Sequence, residues 1–245
     1  MNNAPDLDRF LEDFAAQEGF KILVHGGGKI ASDLATSLGL EQKMAGGRRI
    51  TDEETLDVVT MVYAGLLNKK MVSKLQSFDC NAIGLSGADG NSIRAHKRIV
   101  KDLDYGFAGD VDEVGSGMIE SLLRSRLCPV FCAITHDKKG QLLNTNADTI
   151  ASELAKGLSR KFDVELLYCF EKDGVLENIE NDDSVVEHLD GKKYNQMKEL
   201  GQIAEGMLPK LKNCFEALEK GVSRVVISSP ELLRNPQRKH TTLTL

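Results

Sequence analysis

The residues best suited to chemistry are three consecutive glycines, Gly26, Gly27 and Gly28, placed where a predicted strand becomes a helix. An apolar run at residues 21–24 predicts the buried strand, and apolar residues recur at helical spacing after the glycines. Because glycine has no Cβ, such a turn can bring backbone N–H groups close to a ligand, and a helix N-terminus favours anions. The spacing matches neither G-x-G-x-x-G nor a P-loop. The pattern predicts an anion-binding turn or, equally, a tight turn without a ligand.

Further polar groups follow predicted strands or precede predicted helices: Arg49, Asn144, Asp148, Lys210 and the segment Glu171, Lys172, Asp173, Gly174. Ligands of open α/β sheets bind beyond the C-terminal ends of strands. This set of cations, amides and carboxylates suits phosphoryl transfer, which depends mostly on positioning and charge neutralisation. Arg49 would bind a carboxylate through two hydrogen bonds, and Lys210 would act as a mobile charge on phosphate. The pattern includes no nucleophile–base pair and no set of metal ligands.

Each of these residues also has a purely structural interpretation. Arg49 could form a surface salt bridge, Asn144 and Asp148 could be turn and N-cap residues, and His25 could be a hydrogen-bonding residue of the scaffold. The residues taken singly leave these alternatives open.

The elements that must position these groups alternate between strand and helix along the chain. This alternation predicts an α/β fold with an open, mostly parallel sheet sandwiched between helices. We expect two lobes, residues 1–162 and 163–245. Residues 44–51 are predicted to be a glycine-containing loop, and the pattern Thr51-x-x-Glu54 predicts a capping box that starts a helix.

Composition limits the classes of function. The chain has 245 residues, 41% of them hydrophobic and 28% charged, with a net charge of −6, which argues against nonspecific binding of nucleic acid. No apolar run is long enough to span a membrane. Five scattered cysteines predict buried thiols in a reducing cytoplasm, not a zinc site or disulfides.

Four segments in order resemble the amino-acid kinase family: Val24-His25-Gly26-Gly27-Gly28, Gly47-Arg48-Arg49-Ile50-Thr51-Asp52, Asn144-Thr145-Asn146-Ala147-Asp148 and Gly206-Met207-Leu208-Pro209-Lys210-Leu211. The resemblance covers nearly the whole chain. It implies the family's α/β fold, with an N-terminal acyl-glutamate and dimerisation lobe at residues 1–162 and a nucleotide lobe at 163–245. It also implies transfer of a phosphoryl group from ATP, accompanied by Mg²⁺, to the side-chain carboxylate of an N-acylated glutamate, a step of arginine biosynthesis.

The resemblance assigns a role to each matching position. Gly26, Gly27 and Gly28 would donate N–H groups to the phosphoryl group and substrate, with Gly27 among the catalytic residues. Arg49 and Asn144 would bind the substrate, Asp148 would orient the catalytic lysines, and Lys210 would neutralise charge on the phosphoryl group. Glu171, Lys172, Asp173 and Gly174 would form a nucleotide-binding loop with Lys210. A cytoplasmic homodimer is also implied.

One feature of the sequence departs from the family. Its members begin with a strand and a Lys-x-Gly-Gly motif whose lysine is a second phosphate-binding cation, and residues 1–5 carry neither. We therefore expect the native protein to begin upstream.

Three alternatives remain at this stage. Other small-carboxylate kinases of the family, such as carbamate kinase, aspartate kinase and glutamate 5-kinase, share the fold. A kinase fold that binds ligands without catalysis, and a nicotinamide-dependent dehydrogenase, belong to other classes of function. The dehydrogenase alternative conflicts with the spacing of the glycines.

Overall fold

Strands and helices alternate along the chain in the computed structural model, which describes residues 4–203 and 207–245. The α-helices are Ala4–Ala15 (α1), Gly28–Ser37 (α2), Glu53–Thr60 (α3), Asn68–Gln76 (α4), Ser116–Arg124 (α5), Ala147–Leu158 (α6), Gly191–Glu199 (α7) and Leu208–Glu219 (α8). The strands are Leu23–His25 (β1), Lys43–Ala45 (β2), Arg48–Ile50 (β3), Ala82–Leu85 (β4), Ile93–Lys97 (β5), Ala108–Val114 (β6), Cys128–Cys132 (β7), Ile134–His136 (β8), Leu142–Thr145 (β9), Glu165–Cys169 (β10), His188–Leu189 (β11), Arg224–Ser228 (β12) and Thr241–Leu243 (β13). A π-helix, Met61–Leu67, joins α3 to α4, and short 3₁₀ helices occur at Asp89–Asn91 and Pro230–Leu233.

The chain divides into two compact units. One comprises Glu18–Glu153, and the other comprises the chain up to Gln17 together with Leu154–Leu245. The boundary falls inside α6, several residues before the expected boundary at 162. The assignment of acyl-glutamate binding and nucleotide binding to residues 1–162 and 163–245 stays a prediction. The expectation of a missing strand and Lys-x-Gly-Gly motif is based on residues 1–5, of which residues 1–3 lie outside the described residues and residues 4–5 belong to α1.

The Glu18–Glu153 unit is built on a parallel sheet with strand order β1-β7-β4. Every residue of β7 is buried, because the strand is central and is covered on its faces by helices such as α4 and α5. Strands β5, β6, β9 and β8 close into a small barrel beside it. Because the three strands are parallel, the glycine turn that follows β1 lies at the same end of the sheet as the C-terminal ends of β7 and β4.

The second unit contains a sheet with strand order β10-β12-β13-β11. Strands β10 and β12 are parallel, whereas β13 runs antiparallel to β12. Helix α8 packs on β12, and α1 packs on the 3₁₀ helix Pro230–Leu233, where Arg234 contacts Asp13 at 2.9 Å. The mixed α/β architecture with parallel strands confirms the predicted fold class. No helix in the described part of the chain is both long and apolar enough to cross a membrane.

The prediction of a loop at residues 44–51 is wrong, because β2 and β3 form an antiparallel hairpin there. The turn consists of Gly46 and Gly47, whose φ values of +53° and +73° suit the type I′ turn that matches the twist of the strands. Arg49 is therefore held on a strand instead of on a mobile loop.

The predicted capping box is displaced by one residue. Asp52, not Thr51, is the N-cap of α3, and its Oδ1 accepts the Thr55 N–H at 2.9 Å. Thr51 is instead fully buried and forms a β-bridge with Gly106. Aspartate caps helices as well as threonine does, so the choice between them was made by tertiary packing.

Asp52→Ala is expected to lower the free energy of unfolding by about 1 kcal/mol through loss of the cap. Hydrogen bonds from Thr55 lower the pKa of Asp52, so this contribution is complete above the unfolded-state pKa and is lost as pH falls through the folded-state value. Chemical denaturation between pH 7 and pH 3 measures both effects. Asp52→Asn, which keeps an oxygen acceptor but does not titrate, is the control. Equal pH dependence in Asp52→Asn and the wild type would contradict the assignment.

Candidate active site

The glycine turn lies at the end of β1, with Gly27 as the N-cap of α2. A Cβ on Gly27 would collide with the side chains of Leu67 and Tyr63, so only glycine fits without rearrangement. A Cβ on Gly26 would lie 3.7 Å from that of Ala147. The turn is therefore packed closely on one side and lies beside the first residue of α6.

Arg49 reaches the glycine turn from β3. Its Nη2 donates to the Gly28 carbonyl at 3.0 Å and to the Ser32 hydroxyl at 2.8 Å. The residue is only 9% exposed, which excludes the alternative of a surface salt bridge. Its Nη1 is buried and forms no hydrogen bond with any described residue. A buried guanidinium nitrogen without an acceptor is rare, and a carboxylate ligand would satisfy it.

Asn144 is linked through Thr51 to Arg49 of β3. Its Nδ2 donates to the Thr51 hydroxyl at 3.0 Å, and that hydroxyl donates to the Arg49 carbonyl at 3.2 Å. The Asn144 backbone N–H donates to the Phe107 carbonyl at 2.9 Å, which ties β9 to the same region. Asn144 is thus a neighbour of Arg49 through Thr51.

Asp148 lies in the first turn of α6 and is half-buried. The cap of this helix is Asn146, whose Oδ1 accepts the Thr149 N–H at 3.0 Å. The alternative that Asp148 is the N-cap is therefore excluded. Because α6 begins beside Gly26, the structure brings Asp148 into the neighbourhood of the glycine turn.

Tyr63 is a site residue that sequence reasoning missed. It belongs to the π-helix, is 5% exposed, and its Oη would lie 3.9 Å from a Cβ on Gly28. Burial raises the pKa of Tyr63, although the nearby Arg49 guanidinium opposes the shift. The phenol therefore stays protonated at neutral pH. In the sequence, Tyr63 falls at helical spacing with Val59 and Leu67, a pattern typical of the core, so no signal singled it out.

The second unit contains a pocket of about 480 Å³ at the C-terminal end of β10. Its wall includes Glu171, Lys172 and Gly174 of the predicted nucleotide loop, together with apolar residues such as Phe170 and Ile203. Other lining residues are Cys169, Val175, Leu176, Ile179, Gln202, Met207 and Pro230. Burial raises the pKa of the Cys169 thiol to about 11, so that this side chain is neutral at pH 7. A largely apolar cleft with a few polar groups suits a planar base such as adenine.

The carboxylate of Asp173 contacts a side chain instead of lining this pocket. It accepts the Nε–H of Arg238 at 2.7 Å, and the Arg238 Nη1 contacts Glu231 at 2.5 Å. Although burial opposes the shift, the guanidinium lowers the pKa of Asp173. Asp173 therefore fixes the loop at residues 171–174 to the segment that follows β12.

Lys210 lies in the first turn of α8, in the same unit as the pocket. Its Nζ is 4.1 Å from the centroid of the Phe170 ring, a distance at which a cation is attracted to the aromatic face. Phe170 itself lines the pocket, so the ammonium lies next to the pocket's wall. Gly206, which opens the motif containing Lys210, lies outside the described residues.

If this loop binds the nucleotide, as the resemblance implies, Gly174→Ala is expected to raise the KM for ATP about tenfold, because the loop must shift to make room for the Cβ and a loss of about 1.4 kcal/mol in binding corresponds to a factor of ten. A Cβ there would lie 2.8 Å from Val185 Cγ1 and would press on Thr241, whose Oγ1 accepts the Val175 N–H at 2.8 Å. Steady-state kinetics against ATP measure the effect. Gly191→Ala is the matched control, since nothing lies within 4 Å of its added Cβ. Equal KM values for the two variants would contradict the predicted role of this loop in nucleotide binding.

The structure thus brings Gly26, Gly27, Gly28, Arg49, Asn144 and Asp148 together in one unit and the loop at residues 171–174 and Lys210 in the other. Among the described residues, no three or more His, Cys, Asp or Glu side chains cluster as ligands for a metal ion. The first unit contains the glycine turn with a guanidinium nitrogen beside it that has no partner among the described residues, and the second contains a pocket of about 480 Å³ with a lysine next to its wall.

Comparison with known proteins gives consistent matches along the chain. A family model described as "Amino acid kinase family" matches residues 1–229. The acetylglutamate kinase of Phocaeicola vulgatus is 55% identical over 222 residues, which cover 91% of this chain and 86% of that protein. The acetylglutamate kinase of Bacteroides thetaiotaomicron is 52% identical over 229 residues, covering 94% and 89%. The crystal structure of smu.665 from Streptococcus mutans superposes with a TM-score of 0.77 at 25% identity, covering 99% of this chain and 93% of that one.

Proposed function

The chain belongs to the amino acid kinase family, and from this premise we propose that it transfers the γ-phosphoryl group of ATP to the side-chain carboxylate of N-acetyl-L-glutamate. The product is an acyl phosphate, formed in arginine biosynthesis. Relatives more than half identical over about nine-tenths of the chain bear the name acetylglutamate kinase, which supports this choice over other carboxylate kinases of the fold.

The observation that carries the proposal is the buried Nη1 of Arg49, for which residues 4–203 and 207–245 offer no hydrogen-bond partner. A buried guanidinium beside the glycine turn needs an anionic ligand, and the α-carboxylate of the substrate provides two oxygens for it. Asn144, anchored through Thr51, would accept a hydrogen bond from the N–H of the N-acyl amide or donate one to its carbonyl oxygen. The substrate would thus be bound at both of its polar ends.

In the reaction, an oxygen of the side-chain carboxylate attacks the γ-phosphorus while the bond from phosphorus to the β,γ-bridging oxygen breaks. The electron pair of that bond leaves with ADP. Negative charge is spread over the three equatorial oxygens, where cations and N–H donors stabilise it. In line with the resemblance, the glycine N–H groups are proposed as such donors, Lys210 as a cation that neutralises charge, and Asp148 as a positioning residue.

Mg²⁺ would enter with ATP. It prefers phosphate oxygens and water to an all-protein site. We also propose a cytoplasmic location and a homodimer formed through the N-terminal lobe, residues 1–162.

The test is an assay for acyl phosphate, trapped as the hydroxamate with hydroxylamine, with ATP and either N-acetyl- or N-succinyl-glutamate. We expect hydroxamate with N-acetylglutamate and none with free glutamate. A preference for N-succinyl-glutamate would show that the acyl group of the substrate is succinyl instead of acetyl. Binding of both ligands by calorimetry without hydroxamate would replace the proposal with a non-catalytic binding protein.

A further inference from the structure

His25, the last residue of β1, is enclosed by hydrogen bonds on both ring nitrogens. It is 8% exposed, with Nδ1 2.8 Å from the Gly26 carbonyl oxygen and Nε2 3.1 Å from the Nδ2 of Asn68. Asn68 is 1% exposed and begins α4. The proposed reaction gives His25 no role, yet the ring directly contacts the glycine turn.

The bonds of Asn68 determine which nitrogen of His25 carries the proton. The Nδ2 group donates one hydrogen to the Val130 carbonyl at 2.9 Å, and its Oδ1 accepts from Lys69 Nζ at 3.2 Å. These two contacts fix the orientation of the amide, so its second N–H points at Nε2 of the ring. Nε2 must then be an acceptor, and the proton lies on Nδ1, where the Gly26 carbonyl accepts it. Burial lowers the pKa of His25, although the bond to Gly26 opposes the shift, which agrees with a neutral ring.

This bond has a geometric consequence for the next peptide group. In a trans peptide the carbonyl of Gly26 and the N–H of Gly27 point in opposite directions. Holding the carbonyl against the imidazole therefore turns the Gly27 N–H away from His25. The side chains of Leu67 and Tyr63, which occupy the space beside the Gly27 Cα, restrict rotation of the turn further.

We propose that His25, kept by Asn68 as the neutral tautomer with its proton on Nδ1, is a positioning residue that fixes the direction of the Gly27 N–H toward the phosphoryl group. The inference rests on the proposed function and deepens it. It identifies a chain of three residues, Asn68, His25 and Gly26, that orients a transition-state donor without contacting the substrate.

Two substitutions at His25 separate this role from simple packing. His25→Asn keeps a nitrogen donor at the bonded position of Nδ1, whereas His25→Gln places its nitrogen at the position of Nε2 and loses that donor. We expect His25→Gln to lower kcat by about 10²-fold, the effect of losing one preorganised donor. Its KM for N-acetylglutamate should change much less, and His25→Asn should recover most of kcat. A role in packing alone would lower the melting temperature of both variants and leave the two kcat values equal.

A second measurement does not depend on the variants folding. The ¹⁵N chemical shifts of the His25 ring in wild-type protein, with and without N-acetylglutamate, report the tautomer directly. We expect a protonated Nδ1 and an unprotonated Nε2 at pH 7. A proton on Nε2, a charged ring, or equal kcat in the two variants would overturn the inference. If the wild-type protein forms no acyl phosphate, the proposed function fails. The ¹⁵N spectrum still shows whether His25 has the tautomer that the hydrogen bonds to Asn68 and Gly26 require.

Discussion

Arg49→Lys is expected to raise the KM for N-acetylglutamate about 10²-fold, because loss of hydrogen bonds to a charged partner costs about 1.5–3 kcal/mol each. Lysine keeps the charge but has no planar fork, so it cannot bind the carboxylate while holding Gly28 and Ser32. The KM for ATP should change little. Steady-state kinetics with each substrate varied in turn measure both values.

Two further variants control this experiment. Arg124→Lys makes the same change at a surface residue of the same unit, where the arginine pairs with Glu120, and should leave both KM values unchanged. Ser32→Ala removes one anchor of Arg49 without altering its charge, so it should raise the KM by a smaller factor. An Arg49→Lys enzyme with the KM of the Arg124→Lys enzyme would show that Nη1 does not bind the substrate.

Lys210→Met is expected to lower kcat by about 10²–10³-fold, the usual cost of losing one preorganised donor to a developing charge. Methionine keeps an unbranched side chain that can still lie over the Phe170 ring, so the wall of the pocket should stay intact. Binding of N-acetylglutamate, measured by calorimetry, should be unaffected. The rate under saturating ATP and N-acetylglutamate measures the loss.

Lys212→Met is the matched control for this experiment. Lys212 lies on the same helix but at the surface, where its Nζ is 3.7 Å from Glu216. We expect kcat near the wild-type value. If Lys210→Met and Lys212→Met both retained the wild-type kcat, Lys210 would be a residue of the pocket wall with no part in charge neutralisation.

Local physical chemistry accounts for the features that the sequence alone determined. The glycine turn was predictable because a missing Cβ and the change from strand to helix periodicity are both properties of adjacent residues. The α/β class followed because segments with the hydrophobic periodicity of strands alternate along the chain with segments that have the periodicity of helices. The hairpin at Gly46 and Gly47 was missed, although paired glycines between strands are a known turn signal.

Only the tertiary structure decided how the candidate site is assembled. Arg49 meets Gly28 across 21 residues of chain, His25 meets Asn68 across 43, and Asn144 meets Thr51 across 93. Residue types and spacing identified most of these groups, but not which would be partners. That choice depends on long-range packing within the Glu18–Glu153 unit, including that of the π-helix against the glycine turn. It decides which partner is lacking for Arg49 Nη1 in the described part of the chain and which tautomer His25 adopts. The glycine turn was thus determined locally, whereas the side chains that contact it come from residues distant in the chain.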